Sequence, residues 1–169
     1  MKQGDRGAFS TLYLRHRDAV YTYCLHLQVG ENEAQDTVHE AFVRIHDKLD
    51  SLTDGSAFRA WALSIARNLV LNGRRNIHVE YGHDEDPASP DGDPFESMVR
   101  EEISAAVRRG IKKLNPLLRE ALQLRLVQEL SYKDIATVTE VTEDVVRIRL
   151  YRARKALVQL LRPFGEKET

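Results

Sequence analysis

The chain predicts an all-α protein made of two small helical domains joined by a flexible acidic linker. Three observations carry this. Apolar residues recur at three- and four-residue spacing through most of the chain and nowhere alternate with the period of two that a half-buried strand needs. Residues 77–99 hold seven acidic side chains and no lysine or arginine, and the stretch His83 to Pro94 contains three of the five prolines and almost nothing apolar. Such a composition cannot offset the entropy lost in ordering a core. Residues 1–76 carry about +1 and residues 100–169 about +5, so a near-neutral block and a basic block stand behind the total of −1. The boundaries that follow are a first domain over 5–77, the linker over 78–98 and a second domain over 99–163.

Within the first domain, Phe9, Leu12, Tyr13, Val20, Tyr23, Cys24 and Leu27 form one helical stripe, with a candidate break at Arg17-Asp18 and Gly30 as C-cap. A second helix from Asn32 to Leu49 places Ala34, Val38, Ala41, Phe42, Ile45 and Leu49 on one face. Asp50-Ser51-Leu52-Thr53-Asp54-Gly55 is turn chemistry, after which Ser56 is the expected N-cap of a helix reaching about Asn76 and burying Phe58, Trp61, Ile65 and Leu69.

The second domain opens with a helix over Glu101–Leu114. Another follows over Pro116–Gln128, with proline at its first position, where a missing N–H costs nothing. Ser131 with Asp134 three residues on reads as a capping box for a short helix ending near Val138. Thr142, Glu143 and Asp144 open the last helix and complement its dipole, and Pro163 closes it. Two capped helices a short turn apart, the second rich in arginine, predict a helix-turn-helix.

On a 3.6-residue period Val146, Leu150, Ala153 and Leu157 form the seam of that last helix toward the core. Glu143, Asp144, Arg147, Ile148 and Tyr151 lie where a recognition helix meets base edges. Arginine pairs bidentately with guanine, an acid accepts from cytosine N4, and isoleucine meets a thymine methyl. Arg149, Arg152, Arg154 and Lys155 suit phosphates, which position without reading sequence.

The order Leu130-Ser131-Tyr132-Lys133-Asp134-Ile135-Ala136, then Val145 through Leu157, resembles region 4 of bacterial sigma factors. Independently, Asp36-Thr37-Val38-His39-Glu40-Ala41-Phe42-Val43-Arg44 is similar to the region 2 segment that grips RNA polymerase. Phe58-Arg59-Ala60-Trp61 and Ile65-Ala66-Arg67-Asn68-Leu69 resemble the region 2 stretch tied to the −10 promoter element. Two such domains and a linker look like the short extracytoplasmic-function class. The resemblance implies a region 2 bundle and a region 4 helix-turn-helix, with core RNA polymerase, promoter DNA and an anti-sigma inhibitor as partners. Polymerase would be met by Asp36, His39, Glu40, Phe42 and Arg44. The −10 element would be met by Asp50, Ser51, Leu52, Thr53, Arg67, Asn68, Asn72, Arg74 and Arg75. The −35 element would be met by Glu143, Asp144, Arg147, Ile148, Arg149, Tyr151, Arg152, Arg154 and Lys155.

Five positions depart from that pattern. His39 stands for the usual glutamine, Glu140 for a turn glycine, and Ile148 for a small polar residue. Asn72 and Arg74 replace the usual acid and leucine. The acidic linker would thread a polymerase channel.

Other chemistries find no frame. His39 and His46 are seven residues apart, too far for the i, i+4 zinc pair of a metalloprotease helix, and Cys24 and His26 point to different helix faces. There is no phosphate-binding glycine loop and no nucleophile elbow. Neither catalysis, metal nor cofactor is expected. The polar first residues, the single cysteine and the lack of any apolar run near ~18 residues predict a cytoplasmic protein that does not insert in membranes. On the helix-turn-helix alone, a stand-alone regulator and a helical protein-binding adaptor remain open readings.

Overall fold

A computed structural model describes residues 6–27, 29–75 and 105–165, and among these residues every regular element is helical. In chain order they are α1 (Arg6–His26), α2 (Glu31–Lys48), α3 (Phe58–Arg75), α4 (residues 105–113), α5 (Pro116–Leu126), α6 (Tyr132–Thr139) and α7 (Glu143–Gly165). Two single 3₁₀ turns, Leu49–Ser51 and Gly55–Ala57, lie between α2 and α3. The linker over 78–98 and the first turn of the helix predicted from Glu101 fall outside the described residues.

The N-terminal half is a three-helix bundle in which α1, α2 and α3 pack on one another. Val20, Tyr23 and Cys24 of α1 meet Ala34, Val38, Ala41, Phe42 and Ile45 of α2 and Leu63, Ala66 and Val70 of α3 in its core. Helix α1 runs unbroken through Arg17-Asp18. Both residues are exposed and pair with each other at 3.2 Å, so nothing there forces an interruption. Gly30 serves as the N-cap of α2, with extended backbone (φ −65°, ψ 162°), and not as the end of α1. Asp54, not Ser56, opens the third helical segment. Its carboxylate accepts from the Ser56 N–H at 2.8 Å and the Ser56 hydroxyl at 2.7 Å, and these bonds hold its pKa below the usual value. Of the four residues expected inside α3, only Phe58 is buried. Trp61, Ile65 and Leu69 are half-buried, while Ala60, Ala62, Leu63, Ala66 and Val70 are enclosed. The reason is that α3 has helical neighbours on two sides, α1 and α2 on one and α6 on the other.

In the C-terminal half, Leu124, Ile135, Val138, Val146, Leu150 and Ala153 form the centre. Asn115 caps α5 by accepting from the Leu117 N–H at 3.0 Å, with Pro116 at the first helical position. The α4–α5 corner is tied by Arg119, whose Nη2 donates to the carbonyls of Lys112 (2.8 Å) and Leu114 (3.2 Å). Ser131 caps α6 as predicted, its Oγ accepting from the Asp134 N–H at 3.1 Å. The Asp134 carboxylate takes the Ser131 hydroxyl proton at 2.6 Å. Helix α7 continues past Pro163 to Gly165. A proline removes one N–H, and near a helix end that loss does not stop the helix.

Candidate nucleic-acid interface

The turn between α6 and α7 sets how the last helix is presented. Glu140 closes α6 in the left-handed conformation (φ 55°, ψ 45°), and the Val141 N–H returns to the Ala136 carbonyl at 3.1 Å. This is the six-to-one bond of a Schellman end, built without the glycine that makes it cheap. Thr142 then accepts, at 3.4 Å, from the Val145 N–H and starts α7.

From that start, α7 shows two faces. Val146, Leu150 and Ala153 are buried and Leu157 is half-buried, which is the predicted seam. Glu143, Asp144, Arg147, Ile148, Tyr151, Arg152, Arg154 and Lys155 are exposed, with Tyr151 at 67% and Ile148 at 49%. Asp144 pairs with Arg147 at 2.6 Å one turn on, which points the guanidinium along the outer face. Both members are solvated, so the pair orients more than it stabilises. Arg149 is half-buried at the flank. An exposed isoleucine and tyrosine among arginines combine apolar contact for base edges with charge for phosphates.

The other predicted residues divide. On α2, Asp36, His39, Glu40 and Arg44 are all exposed, and Glu40 pairs with Arg44 at 2.6 Å. Phe42 does not share their stripe. It is 4% exposed, with its ring edge-on to Tyr13 at 4.8 Å, and it meets the outside only as the floor of a groove of about 360 Å³. That groove is flanked by Phe9, His39, Val43 and His46. An apolar side chain at a core-facing position of an amphipathic helix goes inward, so Phe42 shapes this surface from beneath.

Between α2 and α3, Asp50, Ser51 and Thr53 are exposed, while Leu52 packs against the core. Ser51 is tied back to the Lys48 carbonyl at 2.6 Å. Asn72 is exposed, and the side chains of Arg74 and Arg75 lie outside the described residues.

Arg67 and Asn68 are engaged by partners within the chain. Arg67 donates from Nε to Glu120 Oε1 at 2.7 Å and from Nη2 to Oε2 at 3.4 Å, with side chains only 12% and 8% exposed. Burial works against the charge on Arg67, but the bond and charge of Glu120 outweigh it and leave the pKa raised. Tyr23 donates to the same Glu120 oxygen at 2.8 Å, and burial beside that carboxylate drives the phenol well above its ordinary pKa. Asn68 donates to Glu140 at 3.0 Å. Arg59 donates to Gln128 at 2.9 Å, and Gln128 in turn donates to the Ala19 carbonyl at 3.2 Å. These contacts join the two halves.

Sequence reasoning missed Tyr23, Arg59, Glu120 and Gln128 as a group. One signal was available: Glu120 lies among Ala121, Leu122 and Leu124 on the buried face of α5, and a carboxylate there requires a charged or donating partner.

A small all-helical core carrying a helix-turn-helix with a solvated basic face defines a helical DNA-binding protein. Residues 12–78 match the family described as Sigma-70 region 2, and residues 104–157 match Sigma-70, region 4. The chain is 35% identical to the RNA polymerase sigma-H factor of Pseudomonas aeruginosa, over 96% of its own length and 91% of that relative's. Its fold is that of the sigma factor RpoE of Bartonella quintana, solved with the anti-sigma factor NepR. The TM-score is 0.72 at 22% identity, covering 92% of this chain and 97% of that one. It also resembles CnrH, solved in complex with the cytosolic domain of CnrY, with a TM-score of 0.66 at 27% identity over 95% and 91% of the two chains. The chain belongs to the sigma-70 family, among the extracytoplasmic-function RNA polymerase sigma factors. Its function is therefore promoter-directed initiation of transcription. Among the described residues no helix is long and apolar enough to cross a membrane.

Proposed function

We propose a division of labour in which residues 5–77 bind core polymerase and the −10 element, residues 99–163 read the −35 element, and residues 78–98 link them. The single observation that supports it best is the exposed face of α7, where Arg147, Ile148 and Tyr151 stand ahead of Arg152, Arg154 and Lys155. Arg147, Ile148, Tyr151, Glu143 and Asp144 read base edges. Arg149, Arg152, Arg154 and Lys155 hold phosphates.

On the polymerase side, Asp36, His39, Glu40 and Arg44 present charge at helical spacing to a partner helix, and Phe42 supports them from the core. Asp50, Ser51, Leu52 and Thr53 meet the melted −10 strand, while Arg67, Asn68, Asn72, Arg74 and Arg75 meet the adjoining backbone. Glu140 and Ile148 set where the −35 preference differs from that of relatives.

An anti-sigma factor is a further partner, as it is for RpoE in its solved complex. The protein acts in the cytoplasm, without catalysis, metal or cofactor of its own. Run-off transcription with purified core polymerase on templates selected from a random pool tests the reading. Initiation dependent on this chain is expected, and failure to bind core polymerase would sink it.

A further inference from the structure

Of the exposed cations on α7, one is held and the others are not. Arg147 Nη1 donates to Asp144 Oδ1 at 2.6 Å. Among the described residues, no ion pair or hydrogen bond engages the side chains of Arg152, Arg154 and Lys155. The held cation lies in the first turns of the helix, where base edges are met, and the free ones lie further along, where phosphates are met. The side chains of Asp144 and Arg147 are 82% and 62% exposed, so water screens the pair and it adds little to stability. What it fixes is where the guanidinium stands. With Nη1 spent on the carboxylate, the Nε–Nη2 edge is left as the fork that matches O6 and N7 of a guanine.

We propose that Asp144 is a positioning residue for −35 recognition, one that holds Arg147 for a guanine and keeps it from the phosphate backbone. The proposal deepens the reading of α7 given above and rests on it. An unheld arginine is drawn to phosphates, which flank every base pair and carry no sequence. A carboxylate in the same turn repels those phosphates and occupies the guanidinium, so backbone affinity falls for all sequences alike. A guanidinium already placed also loses less rotamer freedom on meeting its base, which favours the matched site alone. Asp144 Oδ2 lies outside the pair and stays open to a cytosine amino group. Glu143, the other acid of the first turn, is exposed and is not joined to Arg147. It gives the helix end the same charge without holding the arginine.

The test uses polymerase holoenzyme reconstituted with the full chain, a promoter duplex selected from a random pool, and that duplex changed at one −35 base pair at a time. Arg147→Ala identifies the base pair that Arg147 reads, as the one where discrimination is lost. Asp144→Asn should lower discrimination at that pair about threefold to tenfold, the effect of having to order one long side chain on binding. The same variant should tighten binding to random-sequence duplex and steepen its salt slope by about one unit, as Arg147 turns to a phosphate. In the Arg147→Ala chain, adding Asp144→Asn should neither change discrimination at that pair nor steepen the slope. Glu143→Gln removes the same charge from the same turn and should leave discrimination at that pair intact.

Asp144→Asn with undiminished discrimination at that pair overturns the proposal. So does a loss that Glu143→Gln reproduces, or one that recurs in the Arg147→Ala chain, because the acid would then act through the helix end or on a base directly. Failure of the underlying reading looks different: Arg147→Ala would then lose discrimination at no −35 position.

Discussion

Helices α3 and α7 both carry arginines assigned to DNA, yet the molecule presents them in opposite ways. Helix α7 gives its core a narrow seam, Val146, Leu150 and Ala153, flanked by half-buried residues such as Arg149 and Leu157, and keeps its outer face in solvent. Helix α3 is contacted by α1 and α2 on one side and by α6 on the other, so Arg67, polar as it is, ends up enclosed against Glu120. The difference is not one of charge content. It comes from how many neighbours require a helix's surface, and it means that a basic residue on a central helix needs a partner inside the protein before it can have one outside.

The comparison is most severely tested through the cores beneath the two helices. Leu150→Ala removes the seam of α7, where Leu150 is 2% exposed, and should destabilise the C-terminal half by about 2–5 kcal/mol. Leu63→Ala, at a fully buried position in α3, should cost a similar amount in the N-terminal half. Circular dichroism in urea would follow both; a Leu150→Ala chain as stable as wild type would mean that α7 is not held by this seam.

Next in size is Arg147→Ala, which should lose about 1–3 kcal/mol of discrimination at one base position of the −35 element, read by competition among promoter variants. A loss equal at every sequence would place Arg147 on phosphate instead. Arg152→Ala should do what Arg147→Ala should not, weakening all sites alike and lowering the salt slope of binding by about one unit.

Glu140→Gly should stabilise the chain by about 1 kcal/mol through relief of the left-handed backbone, less what the exposed Asn68 contact contributes. A lower melting temperature would show that contact to be worth more than the strain.

The smallest effect belongs to His16, whose ring lies 4.8 Å from that of Phe58 beside the start of α3. Burial, then the charges of Arg59 and Arg15, hold its pKa below 6.5. The unfolded chain therefore binds the proton more readily, so this contribution to stability is complete above pH 6.5 and is lost as pH falls below it toward the folded value. His16→Gln should flatten the decline in melting temperature across that window, and an unchanged slope would remove His16 from the account.

Most of the helices were legible because their stripes are long and their ends are marked: Pro116 and Ser131 open helices where the residues say they should. The exposed face of α7 was equally legible, since a surface helix shows its two sides in its period. The misreadings cluster where local signals compete. Gly30 is chemically suited to ending one helix or opening the next, and only packing decides. Ser56 is a good cap, but Asp54, two residues earlier, reaches its N–H first. What periodicity could not reveal is that α3 has two buried sides, because the acceptors that cover the second, Glu120, Gln128 and Glu140, lie more than fifty residues away in the chain. Long-range pairing between polar side chains leaves no period to read.

Cys24 sits in the N-terminal core with no exposed surface, and burial pushes its thiol up to about 12. At neutral pH the unreactive thiol form therefore dominates over the reactive thiolate. Oxidants and maleimides should pass the folded chain by as though it had no sulfhydryl, so a cysteine introduced on the surface would be the sole point of chemical attachment. A slow release of reactivity from Cys24 would, in turn, time the breathing of the bundle that surrounds it.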